Sequence, residues 1–160
     1  MRPVPPKWLG LALAAAQLLQ SPSVTLRDQF GAENRLEPGE PAVVIVVSAH
    51  KLRKLKKWEI AIRERYEGMR IVRIADVVPS DPPATYEAVA ERLRTRVPDE
   101  IPVWIDTSRV WASEFGLDTT LPNLLVLGAD GSLSGTVRGR FSPESFAELA
   151  RLIEEPVDSR

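Results

Sequence analysis

The chain has 160 residues, 44% of them hydrophobic, with 21 Lys and Arg against 22 Asp and Glu and no cysteine. That length supports the buried core of one modest domain, and the near-neutral balance argues against a protein that binds nucleic acid across its whole surface. Without a thiol there is no disulfide framework, no thiol nucleophile and no thiolate metal site.

Arg2 and Lys7 precede an apolar run from Trp8 to Leu19, and the polar Gln20-Ser21-Pro22-Ser23 follows. A basic start, a short apolar centre and small residues near a cleavage point are the layout of a secretory signal peptide. The run is too short to span a bilayer as a stable helix, and no cysteine is available for a lipid. Residues 1–23 are therefore expected to be removed on export to the periplasm or the exterior, leaving no stable membrane anchor. The plainer reading is an apolar N-terminal segment packed on the domain. Residues 24–155 are expected to form that domain and 156–160 a short tail.

Val43-Val44-Ile45-Val46-Val47 is a buried strand. After it Leu52, Leu55, Trp58, Ile62 and Tyr66 step by three and four, which predicts an amphipathic helix over 51–66 that Gly68 ends. Met69 to Ala75 reads as a second strand. Asp81-Pro82-Pro83 signals the start of a helix that buries Tyr86, Val89, Ala90 and Leu93 and runs to about Arg96. Val103 to Ile105 is a brief strand, and Asp106 or Thr107 can cap a short helix carrying Val110, Trp111 and Phe115 up to Gly116. Pro122 has no N–H, so it begins a strand or makes a turn before one. Asn123 to Leu127, the turn Asp130-Gly131 and Leu133 to Val137 then form a hairpin. Ser142 caps a last helix with Pro143 in its first position and Phe146, Leu149, Leu152 and Ile153 on its buried stripe, before Pro156. This order is that of an α/β protein with helices on both sheet faces, without internal repeats or a domain-dividing linker.

The block from Phe115-Gly116-Leu117 through Pro122 and Asp130-Gly131 to the last helix resembles the C-terminal half of a thioredoxin-like domain. Thr25-Leu26-Arg27-Asp28-Gln29-Phe30-Gly31, Pro38-Gly39-Glu40-Pro41 and the strand Val43 to Val47 resemble the peroxiredoxin and TlpA branch. The resemblance covers roughly Val24 to Glu155. It implies a three-layer sandwich, a central mixed sheet with helices on both faces, and a cis Leu121–Pro122 bond lining a groove. It also implies a Cys-x-x-Cys at the start of the helix after the first strand, and Leu52-Arg53-Lys54-Leu55 stands in that place instead. The expected protein is thus a non-redox binding or scaffolding module, with no cofactor and no thiol-disulfide or peroxidase activity.

In redox relatives the backbone beside the proline pairs with an extended substrate peptide. Leu121 and Pro122 are therefore candidates for holding a polypeptide or envelope-protein partner by strand addition; the plainer reading is that Pro122 only shapes the strand entry. Lys51, Arg53, Lys54, Lys56 and Lys57 crowd the first turns of the helix after strand one, where cations oppose the macrodipole. They form either an anion or acidic-partner site or a solvated helix face. His50, the only histidine, ends the first strand, but Ser48 lies two residues away without the glycines of a nucleophile elbow. The alternative function is an enzyme or binder acting on an anionic small molecule at His50 and the basic helix start. Leu52 and Leu55 are binding candidates by position and core residues by spacing. Asp76, Asp81, Asp99 and Glu100 match no metal-ligand spacing, and Trp58, Trp104 and Trp111 read as core.

Overall fold

The computed structural model describes residues 19–98 and 100–155. Most of the expected leader, residues 1–18, and the tail 156–160 lie outside the described residues. An antiparallel pair comes first, β1 (Thr25–Asp28) and β2 (Glu33–Arg35). Asp28 shapes their turn: its Oδ1 accepts from the backbone N–H of Phe30 at 2.9 Å and of Ala32 at 3.1 Å. β3 (Ala42–Ser48) is buried at every residue, as its unbroken apolar run requires of a strand covered on both faces. A 3-10 turn (Leu52–Leu55) leads into α1 (Lys56–Arg65), and β4 (Arg70–Asp76), α2 (Tyr86–Arg96), β5 (Trp104–Asp106) and α3 (Val110–Phe115) follow. The hairpin of β6 (Asn123–Leu127) and β7 (Leu133–Arg138) and then α4 (Pro143–Glu154) end the domain.

The seven strands make one sheet in the order β2-β1-β5-β4-β3-β6-β7, in which β3, β4 and β5 run parallel and the outer strands antiparallel. Alternation along β3 sends Val43, Ile45 and Val47 to the face covered by Trp58 and Ile62 of α1 and Leu149 of α4. Val44 and Val46 pack on the opposite face with Trp111 of α3. Val89, Ala90 and Leu93 of α2 pack on Ala75 and Ile105. Because Ala75 is in register with both Val47 and Ile105, α2 shares the face of α1 and α4. Helices cover both faces, as the element order led one to expect, three on one and one on the other, and the sheet is mixed, as the resemblance implied.

Three sequence-based expectations change. The segment 51–66 is not one α-helix: its first turn is 3-10, with no acidic residue there and no side-chain cap from Lys51. Asp81-Pro82-Pro83 lies in a loop, and α2 starts only at Tyr86, where the Thr85 hydroxyl accepts from the Ala88 N–H at 3.2 Å. The Leu121–Pro122 bond is trans, and the cis bond among the described residues is Asp81–Pro82. Trans is the lower-energy form of an X–Pro bond by roughly 0.5–1 kcal/mol unless the surroundings hold the other isomer. Beside this trans bond the Asn123 amide donates back to the carbonyls of Asp118 at 2.8 Å and Leu121 at 3.0 Å.

Candidate functional site

Parallel strands β3, β4 and β5 end side by side at Ser48, Asp76 and Asp106, and in open α/β sheets the carboxyl ends of the strands are where ligands bind. The chain leaving β3 is pinned there. Ala49 N–H donates to the Asp76 carbonyl at 3.0 Å, Ser48 N–H to the Thr119 carbonyl at 2.9 Å, and Lys51 N–H to the Ser48 carbonyl at 2.8 Å. Those three bonds fix where His50, Lys51, Leu52 and the Thr119–Leu121 loop sit.

His50 projects from the exposed turn toward α2, where the Arg92 guanidinium lies 3.0 Å from its Nδ1. Arginine only donates, so this ring nitrogen is the acceptor. Ser48 is buried, and its hydrogen bonds are those of its backbone. Leu55, at the second of the two positions where the resemblance places thiols, is a core residue 3% exposed and packed with Trp58 and Ile62. Leu52, at the first, is half-buried and touches both helix-covered clusters of this face. Leu121 is half-buried and Pro122 buried, with the Pro122 carbonyl accepting from Gly139 N–H at 2.9 Å. None of five cavities in the described residues has His50, Lys51, Leu121 or Pro122 in its wall.

What the edge contains in place of thiols is a buried charge network. The Asp76 carboxylate is wholly buried and accepts from Arg109 Nη2 at 2.9 Å, from Arg109 Nε at 3.1 Å and from the Thr119 hydroxyl at 2.6 Å. That hydrogen bonding raises the pKa of Arg109 further above its ordinary value, with the charges of Asp76 and Asp106 adding to it and burial opposing it. Arg109 adopts the left-handed backbone, φ 56°, just before α3. Asp106 caps that helix as its sequence position suggested, Oδ1 accepting from Val110 N–H at 3.1 Å and Oδ2 from Trp111 N–H at 3.0 Å. Both carboxylates of this network are engaged by donors of the chain itself, which stiffens the edge.

Beside the Thr119–Leu121 loop lies a cavity of about 330 Å³ walled by Arg53, Lys54, Lys57, Arg140 and Phe141. Lys54 donates to the Thr120 carbonyl at 3.4 Å. Its pKa is lowered by partial burial first, and then by the neighbouring charges of Lys51 and Arg140. No carboxylate lines this cavity. Part of the basic run found in the sequence therefore converges, joined by Arg140 from the loop before α4, whereas Lys56 belongs to a different cavity.

No protein-family model and no curated protein sequence matches the chain. Solved structures do. An exposed lipoprotein thioredoxin from Streptococcus pneumoniae superposes with a TM-score of 0.64 at 16% identity, over 82% of this chain and 98% of that one. The N-terminal domain of PilB from Neisseria gonorrhoeae gives 0.62 at 14% identity, over 83% and 89%. A thiol-disulfide oxidoreductase from Bacteroides fragilis gives 0.56 at 12% identity, over 83% and 98%. The chain has the thioredoxin-like fold, and has it without a single cysteine.

Proposed function

We propose that the protein is a non-redox binding module, acting outside the cytoplasm, that docks an acidic polypeptide along the Leu121–Pro122 loop and the adjoining cation cavity. The observation that carries this reading is that cavity: four cations and an aromatic ring face one space with no carboxylate among them. Like charges held together repel, and an anionic group that enters relieves the repulsion while phenyl and lysine methylenes supply apolar contact. The stiff Asp76–Arg109–Thr119 network beneath supports binding rather than turnover, because a preorganised surface loses little freedom on association. Export is supported by the leader-like residues 1–23 and by a structural neighbour named as an exposed lipoprotein. His50 is set toward α2 and away from this cavity, which favours the polypeptide reading over a small-molecule enzyme built on His50.

A labelled poly-glutamate peptide tests the charge component. Its binding is expected to fall steeply with salt and to be lost in Lys54→Gln/Lys57→Gln/Arg140→Gln. Leu121→Asp should weaken it too, by placing a like charge beside the docking line. Equal binding of poly-glutamate and a neutral peptide, or binding untouched by the triple substitution, would sink the reading. Fractionation of the native cell, followed by N-terminal sequencing, tests the compartment; an uncleaved chain in the cytoplasm counts against export.

A further inference from the structure

A second cavity, of about 350 Å³, opens between α1 and the segment that follows α2, and shares Arg53 with the cation cavity. Its floor holds an unusual residue. Arg73 sits in the middle of β4, in register with Ile45 on a sheet face that is otherwise apolar, and its side chain is 7% exposed. Its Nε donates to Glu59 Oε1 of α1, whereas its Nη2 is buried and has no hydrogen-bond partner among the described residues. A guanidinium donor taken out of water and left unpaired is costly, so the arrangement persists most easily if something else accepts from it.

The walls specify the acceptor. Leu52, Val97 and Val103 make the interior apolar, while the exposed Arg53, Lys56 and Arg96 stand at the rim. Glu59 is the one carboxylate in the lining and it is already engaged by Arg73. The far wall is fixed rather than mobile: the buried Gln29 side chain donates to the Ile101 carbonyl at 2.7 Å and accepts from Val103 N–H at 2.7 Å. One buried guanidinium beneath apolar walls, with the other cations confined to the exposed rim, suits an anionic head group that carries an apolar body. The volume lies within the range of small-molecule sites.

We propose that this cavity binds a monocarboxylate with an apolar body of medium length, its carboxylate accepting from Arg73 Nη2 and its chain lying against Leu52, Val97 and Val103. The site shares Arg53 with the polypeptide surface proposed above but rests on Arg73, which that surface does not contain, so either can fail without the other. Octanoate is the probe, with 1-octanol and octylamine as controls, by titration calorimetry on the full chain. Octanoate should bind saturably, and both controls at least about tenfold more weakly. Arg73→Met with Glu59→Met replaces the ion pair by apolar groups, a change buried pairs often tolerate, and should weaken octanoate between about ten- and a hundredfold. If that variant does not fold, chemical-shift mapping on the unaltered protein decides: octanoate should move the Arg73 Nε–H and the methyl groups of Val97 and Val103. No binding, equal binding of octanol, unchanged affinity in the double variant, or shifts confined to the Lys54–Arg140 cavity would overturn the proposal.

Discussion

Asp76 holds a negative charge with no access to water, so its stability depends on Arg109 and Thr119. Removing one member of a buried pair strands the other, at roughly 3–5 kcal/mol in buried cases. Arg109 is one-third exposed, and water can partly replace it. Arg109→Met is therefore expected to lower unfolding free energy by about 2–3 kcal/mol, and adding Asp76→Asn should restore more than half of it. Urea denaturation of the two variants checks this, and a loss below about 0.5 kcal/mol in the single variant would contradict it. Nothing local in the sequence announces the network, since Asp76 stands 33 residues from Arg109 and 43 from Thr119. The tie between α1 and α4 has the same character. Burial and a hydrogen bond to Glu154 push the Tyr66 pKa from 10.0 up to about 12. Hydrogen bonds from Tyr66 and then Arg65 lower that of Glu154 below 4.5. The folded state thus holds the tyrosine proton more tightly than the unfolded state. Its contribution is fully present below pH 10 and lost as pH rises through about 12. The Glu154 contribution has the opposite sense and is lost as pH falls through its lowered folded value. The difference in unfolding free energy between the native chain and Tyr66→Phe should accordingly be constant near neutrality and shrink between pH 10 and 12. A difference that grows over that window would contradict the assignment.

Elements were legible where local chemistry and tertiary packing agree. In α4, Ser142 and Ser145 form a reciprocal capping box, Pro143 occupies the first turn, and the apolar spacing matches the buried stripe, so nothing outside the segment was needed to find it. β3 and β6 announce themselves as unbroken apolar runs. The β1–β2 pair does not: its strands alternate polar residues, and Asp28 builds the turn through backbone contacts that composition does not reveal. Helix starts were misplaced for a related reason, because a proline cluster marks where a helix can begin and a cap decides where it does. The 3-10 turn before α1 is informative here. Its cations sit at the end of a helix that favours anions, and Lys51 provides no cap. Lys51→Asp should therefore stabilise the fold by about 0.5–1 kcal/mol by capping the turn and favouring the dipole. The same change should weaken poly-glutamate binding at the neighbouring cavity. Gain of stability with loss of binding would mark the basic run as kept for function. Thermal unfolding and peptide titration of the one variant give both signs, and a loss of stability would show the cations are not opposing the turn.

At the scale of the whole molecule, the order of elements made the fold readable although no single motif sufficed, and the absence of cysteine constrains chemistry more than the fold does. Insulin-reduction and peroxide-consumption assays on pure protein are expected to read background, because no thiolate is available to attack a disulfide or a peroxide. Turnover above a metal-free blank would refute that. The sheet also takes in residues the sequence assigned to a removable leader. Leu133 N–H donates to the Leu19 carbonyl at 2.8 Å, Ser21 N–H to the Gly131 carbonyl at 3.0 Å, and Gln20 pairs with Ser132. The Gly131 turn is held from outside by this segment, whose Ser21 Oγ lies 3.3 Å from where a Cβ on Gly131 would stand. A chain beginning at Ser23 loses these bonds, whereas one beginning at Leu19 keeps them. Two backbone hydrogen bonds at about 0.5–1.5 kcal/mol each cap the loss at about 3 kcal/mol, and the entropy of ordering three residues works against it. The shorter chain should therefore unfold at lower urea with an unchanged slope, and amide exchange in β7 should speed up near Leu133. If both chains unfold together, the pairing of residues 19–21 adds nothing to the domain, and cleavage anywhere up to Ser23 is energetically neutral.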